Sequence, residues 1–252
     1  MLAWSDDFRA VFWVAVIPGV LSFLLIAFAV REPERTGAKA ERPKIAWRMA
    51  HELGTAFWGV VAVGSALTLA RFSEAFLILR AQDLGLAVAY APLVLVAMNV
   101  TYALVAYPAG KLADRVSRAK LLAAGTACLI AADIVLALAT GIAALVAGVV
   151  LWGIHMGLTQ GLLSAMVAAT APERLRGTAF GVFNLFSGVA MLVASALAGA
   201  LWHYLGPAIP IWAGAGLAAA ALLLMRFGAF PARRRDAGPA TPPSPPGEAP
   251  DS

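Results

Sequence analysis

In Gly110-Lys111-Leu112-Ala113-Asp114-Arg115-Val116-Ser117-Arg118-Ala119-Lys120, five of eleven side chains are charged and four of those five are cationic. On either side lie two apolar runs, Ala87–Ala109 and Leu121–Ala139, whose only charge is Asp133. Each run has about the 20 residues that a helix needs to cross a bilayer. A short basic connection between two such runs is the pattern of a helical hairpin whose cations are retained on the cytoplasmic side.

Outward from this hairpin the pattern repeats. Further runs are Val11–Val30, about Thr55–Leu79, about Ile142–Ala169, Thr178–Leu201 and Ala208–Met225. This predicts an all-α polytopic membrane protein with about seven transmembrane helices. The composition agrees, with 61% hydrophobic and 13% charged residues and a mean hydropathy of +0.81. A soluble chain carries roughly 25% charged residues, and it could not hide this much apolar surface from water. A β-barrel would alternate apolar and polar residues along roughly ten-residue strands, and no such alternation is present. The lone Cys128 sits in an apolar run and reads as a buried thiol.

The cations orient the helices. Arg31, Arg35, Lys39, Arg42, Lys44 and Arg48 follow the first run. Lys111, Arg115, Arg118 and Lys120 follow the third, Arg174 and Arg176 the fifth, and Arg226, Arg233, Arg234 and Arg235 the seventh. The other ends carry only Arg9 and Arg80, and Arg71 lies within a run. The bias predicts an outside N-terminus and a cytoplasmic C-terminus in a bacterial inner (plasma) membrane. It also turns the net charge of +5 into a topology signal rather than a nucleic-acid footprint. The expected organisation is a periplasmic start and first helix over 1–30, a cytoplasmic linker over 31–53, a six-helix bundle over 54–226 and a disordered cytoplasmic tail over 227–252. An interfacial helix is expected around Ala46–Leu53.

Polar residues within spans are costly and mark candidate sites. Arg71 and Glu74, three apart in the second run, are expected to share a helical face. An internal ion pair, a substrate or proton site, and snorkelling to the outer interface all fit that pair. Asp133 fits a structural hydrogen bond or a coupling group. His155 fits a proton relay or a packing histidine, with Thr159 one turn on. Gly153, Gly157 and Gly161 form a smooth stripe for close helix packing, with Gln160 and Ser164 beside it. Gly177 and Gly181, Ala194 and Ala198, and Ser195 and Gly199 read as packing positions too. Asn99 and Asn184 are candidates to line a cavity. Within the basic connection, Gly110 is expected to let a helix end close on a neighbour, and Asp114 to cap a helix or pair with cations.

Enzymatic chemistry finds no support. The three histidines fall far apart, so no metal site is expected. No nucleophile turn or phosphate-binding glycine loop occurs, no lysine lies within a span, and no cofactor is expected.

The connection resembles the major facilitator superfamily pattern Gly-x-Leu-Ala-Asp-Arg-x-Gly-Arg-Lys, matched here by Gly110, Leu112, Ala113, Asp114, Arg115 and Arg118. Ser117 stands where the family has glycine, and Ala119 where it has a basic residue. Arg31-Glu32-Pro33-Glu34 looks like the end of the family's sixth helix. Ala171-Pro172-Glu173-Arg174-Leu175-Arg176-Gly177-Thr178-Ala179-Phe180-Gly181 looks like its loop between helices ten and eleven.

The resemblance implies that the seven spans correspond to family helices six to twelve. It implies a secondary transporter of a small solute. The titratable Glu74, Asp133 and His155 within the spans point to proton coupling. The few, mostly uncharged cavity candidates favour efflux of an apolar or weakly polar compound, with uptake of a small organic anion on Arg71 close behind. The resemblance also implies a cytoplasmic gating role for Gly110, Asp114, Arg115 and Arg118, with Asp114 contacting a neighbouring helix end. Family helices one to five have no counterpart. That gives the alternative of an incomplete or half-transporter that needs a complementary chain. The expected partners are the lipid bilayer, a small-molecule substrate, protons and that missing half.

Overall fold

The computed structural model describes residues 8–29 and 52–226. The tail over 227–252, and the expected linker and interfacial helix apart from Glu52 and Leu53, lie outside the described residues. Among the described residues the protein is helical, with no strand. The helices are α1 (Phe8–Ala29), α2 (Thr55–Ala70), α3 (Ala75–Asp83), α4 (Ala91–Arg115), α5 (Arg118–Leu138), α6 (Ile142–Thr170), α7 (Arg176–Leu205) and α8 (Ile209–Arg226). Short 3-10 turns at Val88–Tyr90 and Glu173–Leu175 lead into α4 and α7.

Together α2 and α3 make one span, and α4 to α8 make five more, all long and apolar enough to cross a bilayer. The apolar part of α1 is shorter, Val16–Leu25, and its Trp13, Phe23 and Phe28 are exposed. The polytopic all-α reading therefore holds. In a bilayer this is the economical solution, since each helix satisfies its own backbone groups without water.

The core of the bundle is α6, which packs along α5 on one side and α4 on the other, while α8 packs on α5 and α2, and α7 on α2. One buried cluster surrounds Trp152, Met98, Leu129 and Phe72, and a second surrounds Phe57, Leu122, Val167 and Leu175. Glycine sets the α4–α6 distance. A Cβ at Gly153 would lie 2.6 Å from the Met98 carbonyl oxygen, and one at Gly157 would lie 2.7 Å from Val105. The expected stripe is therefore real at those two positions, whereas Gly161 faces open space. In α7, Ala194 and Ala198 are buried, but Gly177, Gly181 and Gly199 have no neighbour within 4 Å of a built Cβ. Small size there does not mean close packing among the described residues.

The basic connection is mostly helix. α4 continues through Gly110 to Arg115, and only Val116 and Ser117 separate it from α5. Cationic residues suit a helix C-terminus, where Arg115 completes the last turn. Two expectations are corrected here. The cap of α5 is Ser117, whose hydroxyl accepts from the Lys120 N–H at 3.4 Å, and not Asp114. Gly110 is exposed, and no atom lies within 4 Å of a built Cβ.

Candidate functional site: an interrupted span beside a buried carboxyl

The second span breaks in the middle. α2 ends at Ala70, Arg71 is extended (φ −100°, ψ 91°), and α3 begins at Ala75. The expectation that Arg71 and Glu74 share one continuous helical face is corrected, because the residues between them are not helical. No proline or glycine causes the break. Ser73 starts the new helix instead. Its hydroxyl accepts from the Ala75 N–H at 3.4 Å and its carbonyl from Phe76 N–H at 3.0 Å, the local chemistry by which serine favours helix starts. None of Phe72, Ser73 and Glu74 donates its N–H to the backbone. The carbonyls of Thr68, Leu69 and Ala70 therefore lose the partners that a continuous helix would give them. Discontinuous helices of this kind supply the ion and substrate sites of many transporters.

Arg71 and Glu74 are both half-buried in the gap, and Arg71 lies within electrostatic range of Glu74 and of His155. Phe72 seals the gap from inside, with its ring 5.3 Å from Trp152 and 5.5 Å from Phe76. The indole N–H of Trp152 has no acceptor among the described residues.

Asp133 faces the same gap from α5. It is fully buried, and neither carboxylate oxygen has a hydrogen-bond partner among the described residues. Gly214 of α8 closes the space. A Cβ there would lie 3.0 Å from the Ala70 carbonyl oxygen, from Asp133 Oδ2 and from a Phe72 ring carbon. The interruption, the buried carboxyl and the close approach of α8 thus meet at one point.

The other candidates separate. His155 is buried, and its Nδ1 donates to the Gly125 carbonyl at 2.8 Å, while the Thr159 hydroxyl donates to the His155 carbonyl at 2.8 Å. At this helix crossing a Cβ on Gly125 would lie 2.5 Å from Thr159 Cγ2. Of the two readings of His155, the observed bonds are those of a packing histidine. Asn99 is exposed and spends its amide on the Leu95 carbonyl of its own helix. Asn184 is exposed on α7, and Gln160 is half-buried. Asp114, Arg115 and Arg118 are exposed at the junction of α4 and α5, and make no ion pair among the described residues.

Sequence reasoning missed Arg80. It reads as a cation at the outer end of a span, yet it is 7% exposed. Its guanidinium donates to the carbonyls of Leu136, Ala137 and Ala139 and pairs with Asp83. It thereby caps the C-terminus of α5 from α3. The i,i+3 partner Asp83 was the signal available. At the opposite end of the bundle, Glu52 pairs with Arg174 beside buried Leu53 and Leu175.

A groove of about 360 Å³ opens between the starts of α4 and α6, lined by Tyr90, Val94, Ile142, Leu145 and Val149 among others. Its walls are almost wholly apolar.

The family profile of the Major Facilitator Superfamily matches residues 65–250. Over 227 residues the chain is 27% identical to a protein of Methanocaldococcus jannaschii described as an uncharacterised MFS-type transporter. The match covers 88% of this chain and 56% of that relative, so the chain spans little more than half the relative's length.

Proposed function

The chain belongs to the Major Facilitator Superfamily, and on that premise we propose that it carries out secondary active transport of a small solute, coupled to protons. The observation that carries the reading is the interrupted second span, with opposite charges at Arg71 and Glu74 and an unpartnered Asp133 beside it. Intramembrane ionisable groups are expensive, so those kept in a span without a structural partner mark a functional site. Spans 55–226 act as family helices seven to twelve, with the C-terminus in the cytoplasm. Asp114, Arg115 and Arg118 act at the cytoplasmic junction of α4 and α5 as the gate that the family motif implies.

Efflux of an apolar or weakly polar compound is the preferred direction. The apolar groove between α4 and α6 supports it, since small-molecule pockets are mostly apolar with a few polar groups. Uptake of a small organic anion is the competing direction, supported by Arg71 as a carboxylate partner.

The test is ethidium accumulation in efflux-deficient bacteria that express the chain. Wild type is expected to lower accumulation severalfold, and Glu74→Gln to abolish the effect at equal membrane abundance. Accumulation equal to that of empty-vector cells sinks efflux of this probe. A second reading has the helices work only with a complementary set. It is supported by the chain's spanning 56% of the relative's length. Lowered accumulation only on co-expression with five preceding family helices would select it.

A further inference from the structure

Glu74, Asp133 and His155 all lie within the spans, and their surroundings differ. We propose that Asp133 is a proton-binding site in which the protonated carboxyl donates a hydrogen bond to the Ala70 carbonyl, clasping α5 to the broken end of α2. The inference deepens the proton-coupled reading and rests on it for its role in transport, although the site itself stands on geometry.

Asp133 is enclosed on all sides, and both its oxygens lack a donor among the described residues. A bare carboxylate in such a place has no solvent and no ion-pair partner among the described residues to compensate it. A proton changes its hydrogen-bonding capacity, because a carboxyl that could only accept gains an O–H to donate. That donor needs an acceptor, and the interruption supplies one. The Ala70 carbonyl would be taken by the Glu74 N–H in a continuous helix, but here it is free of backbone partners. Gly214 leaves open the space that Asp133 Oδ2 and the Ala70 oxygen both border, each 3.0 Å from where a Cβ would sit. One proton therefore satisfies two otherwise orphaned buried groups. Its loss would leave both unsatisfied at the one place where the span is already unwound.

The ionisable groups outside the gap are otherwise engaged or remote. On α6, His155 is bound to the Gly125 carbonyl. On α3, Arg80 is held by Asp83 and the end of α5. On α8, Arg226 stands at the far terminus. On α5 itself, Arg118 and Lys120 occupy the first turn, and Cys128 lies more than one turn away. Arg71 and Glu74 lie in the gap, and of the two it is the Glu74 carboxylate that can accept a released proton, since a guanidinium already carries its own.

The experiment is infrared titration of the purified chain in detergent, following the C=O stretch of protonated carboxylic acids as pH is raised. Wild type is expected to show a titrating band that Asp133→Asn lacks. The variant's amide can still donate to Ala70, so Asp133→Asn is expected to fold and to unfold at a midpoint independent of pH. The wild-type midpoint is expected to fall as pH rises, because the proton is then lost from the folded bundle. Gly214→Ala, which places a methyl 3.0 Å from each of the two oxygens, is expected to shift the band's titration even if Asp133→Asn fails to fold. A band that persists in Asp133→Asn overturns the proposal, and so does an unchanged titration in Gly214→Ala. These readouts need no transport. A titrating band without ethidium efflux therefore removes the efflux reading and leaves the proton site standing.

Discussion

Arg80 shows how a charged residue can hold a membrane bundle together without taking part in transport. Its guanidinium reaches three carbonyls at the end of α5, the position where a cation best complements the helix dipole. Arg80→Ala would leave those buried acceptors and Asp83 without their donor. It is expected to destabilise the purified protein by about 1.5–3 kcal/mol, the range for hydrogen bonds to charged groups, read as a lower midpoint in denaturant-driven unfolding from mixed micelles. An unchanged midpoint would mean that the carbonyls find other donors. The sequence showed that Arg71, Glu74, Asp133 and His155 were unusual, because ionisable groups stand out against apolar runs. It could not show which were partnered. That depends on approaches between helices far apart in the chain, such as His155 to Gly125 and Asp133 to Gly214.

At the scale of the helix, the boundaries of most spans were legible because hydropathy falls at each end and loop cations mark every second one. The interruption of the second span was not. Arg71-Phe72-Ser73-Glu74 is too short to break a hydropathy run, and its one local signal for a helix start was Ser73. The extension of α4 through the motif was equally hidden, since charged residues at the end of an α-helix look the same in sequence as a loop. Glycine spacing told only half the story. Gly157 lies against Val105 of α4, while Gly181 on α7 has open space around it. Gly157→Val is expected to force α4 from α6 and to cost about 1–3 kcal/mol through overpacking. Gly181→Val is expected to stay within about 0.5 kcal/mol of wild type, as surface substitutions do. Equal losses in the same unfolding assay would show that the two stripes pack alike.

For the whole molecule, the fold and family could be read from the order of apolar runs, the charge asymmetry and one motif. The family match over residues 65–250 agrees with them. What transport requires is a link between a solute site and the ionisable groups in the spans, and the interrupted α2–α3 span is where Arg71, Glu74 and the buried Asp133 come together. The most direct measurement of that link is solute-driven proton movement. The chain is reconstituted in liposomes that enclose the pH dye pyranine, and ethidium is added outside. Proton-coupled transport predicts a change in lumenal pH on ethidium addition with wild type, abolished by Glu74→Gln. A pyranine trace identical to that of protein-free liposomes, from chain shown to be folded in the bilayer, would contradict it.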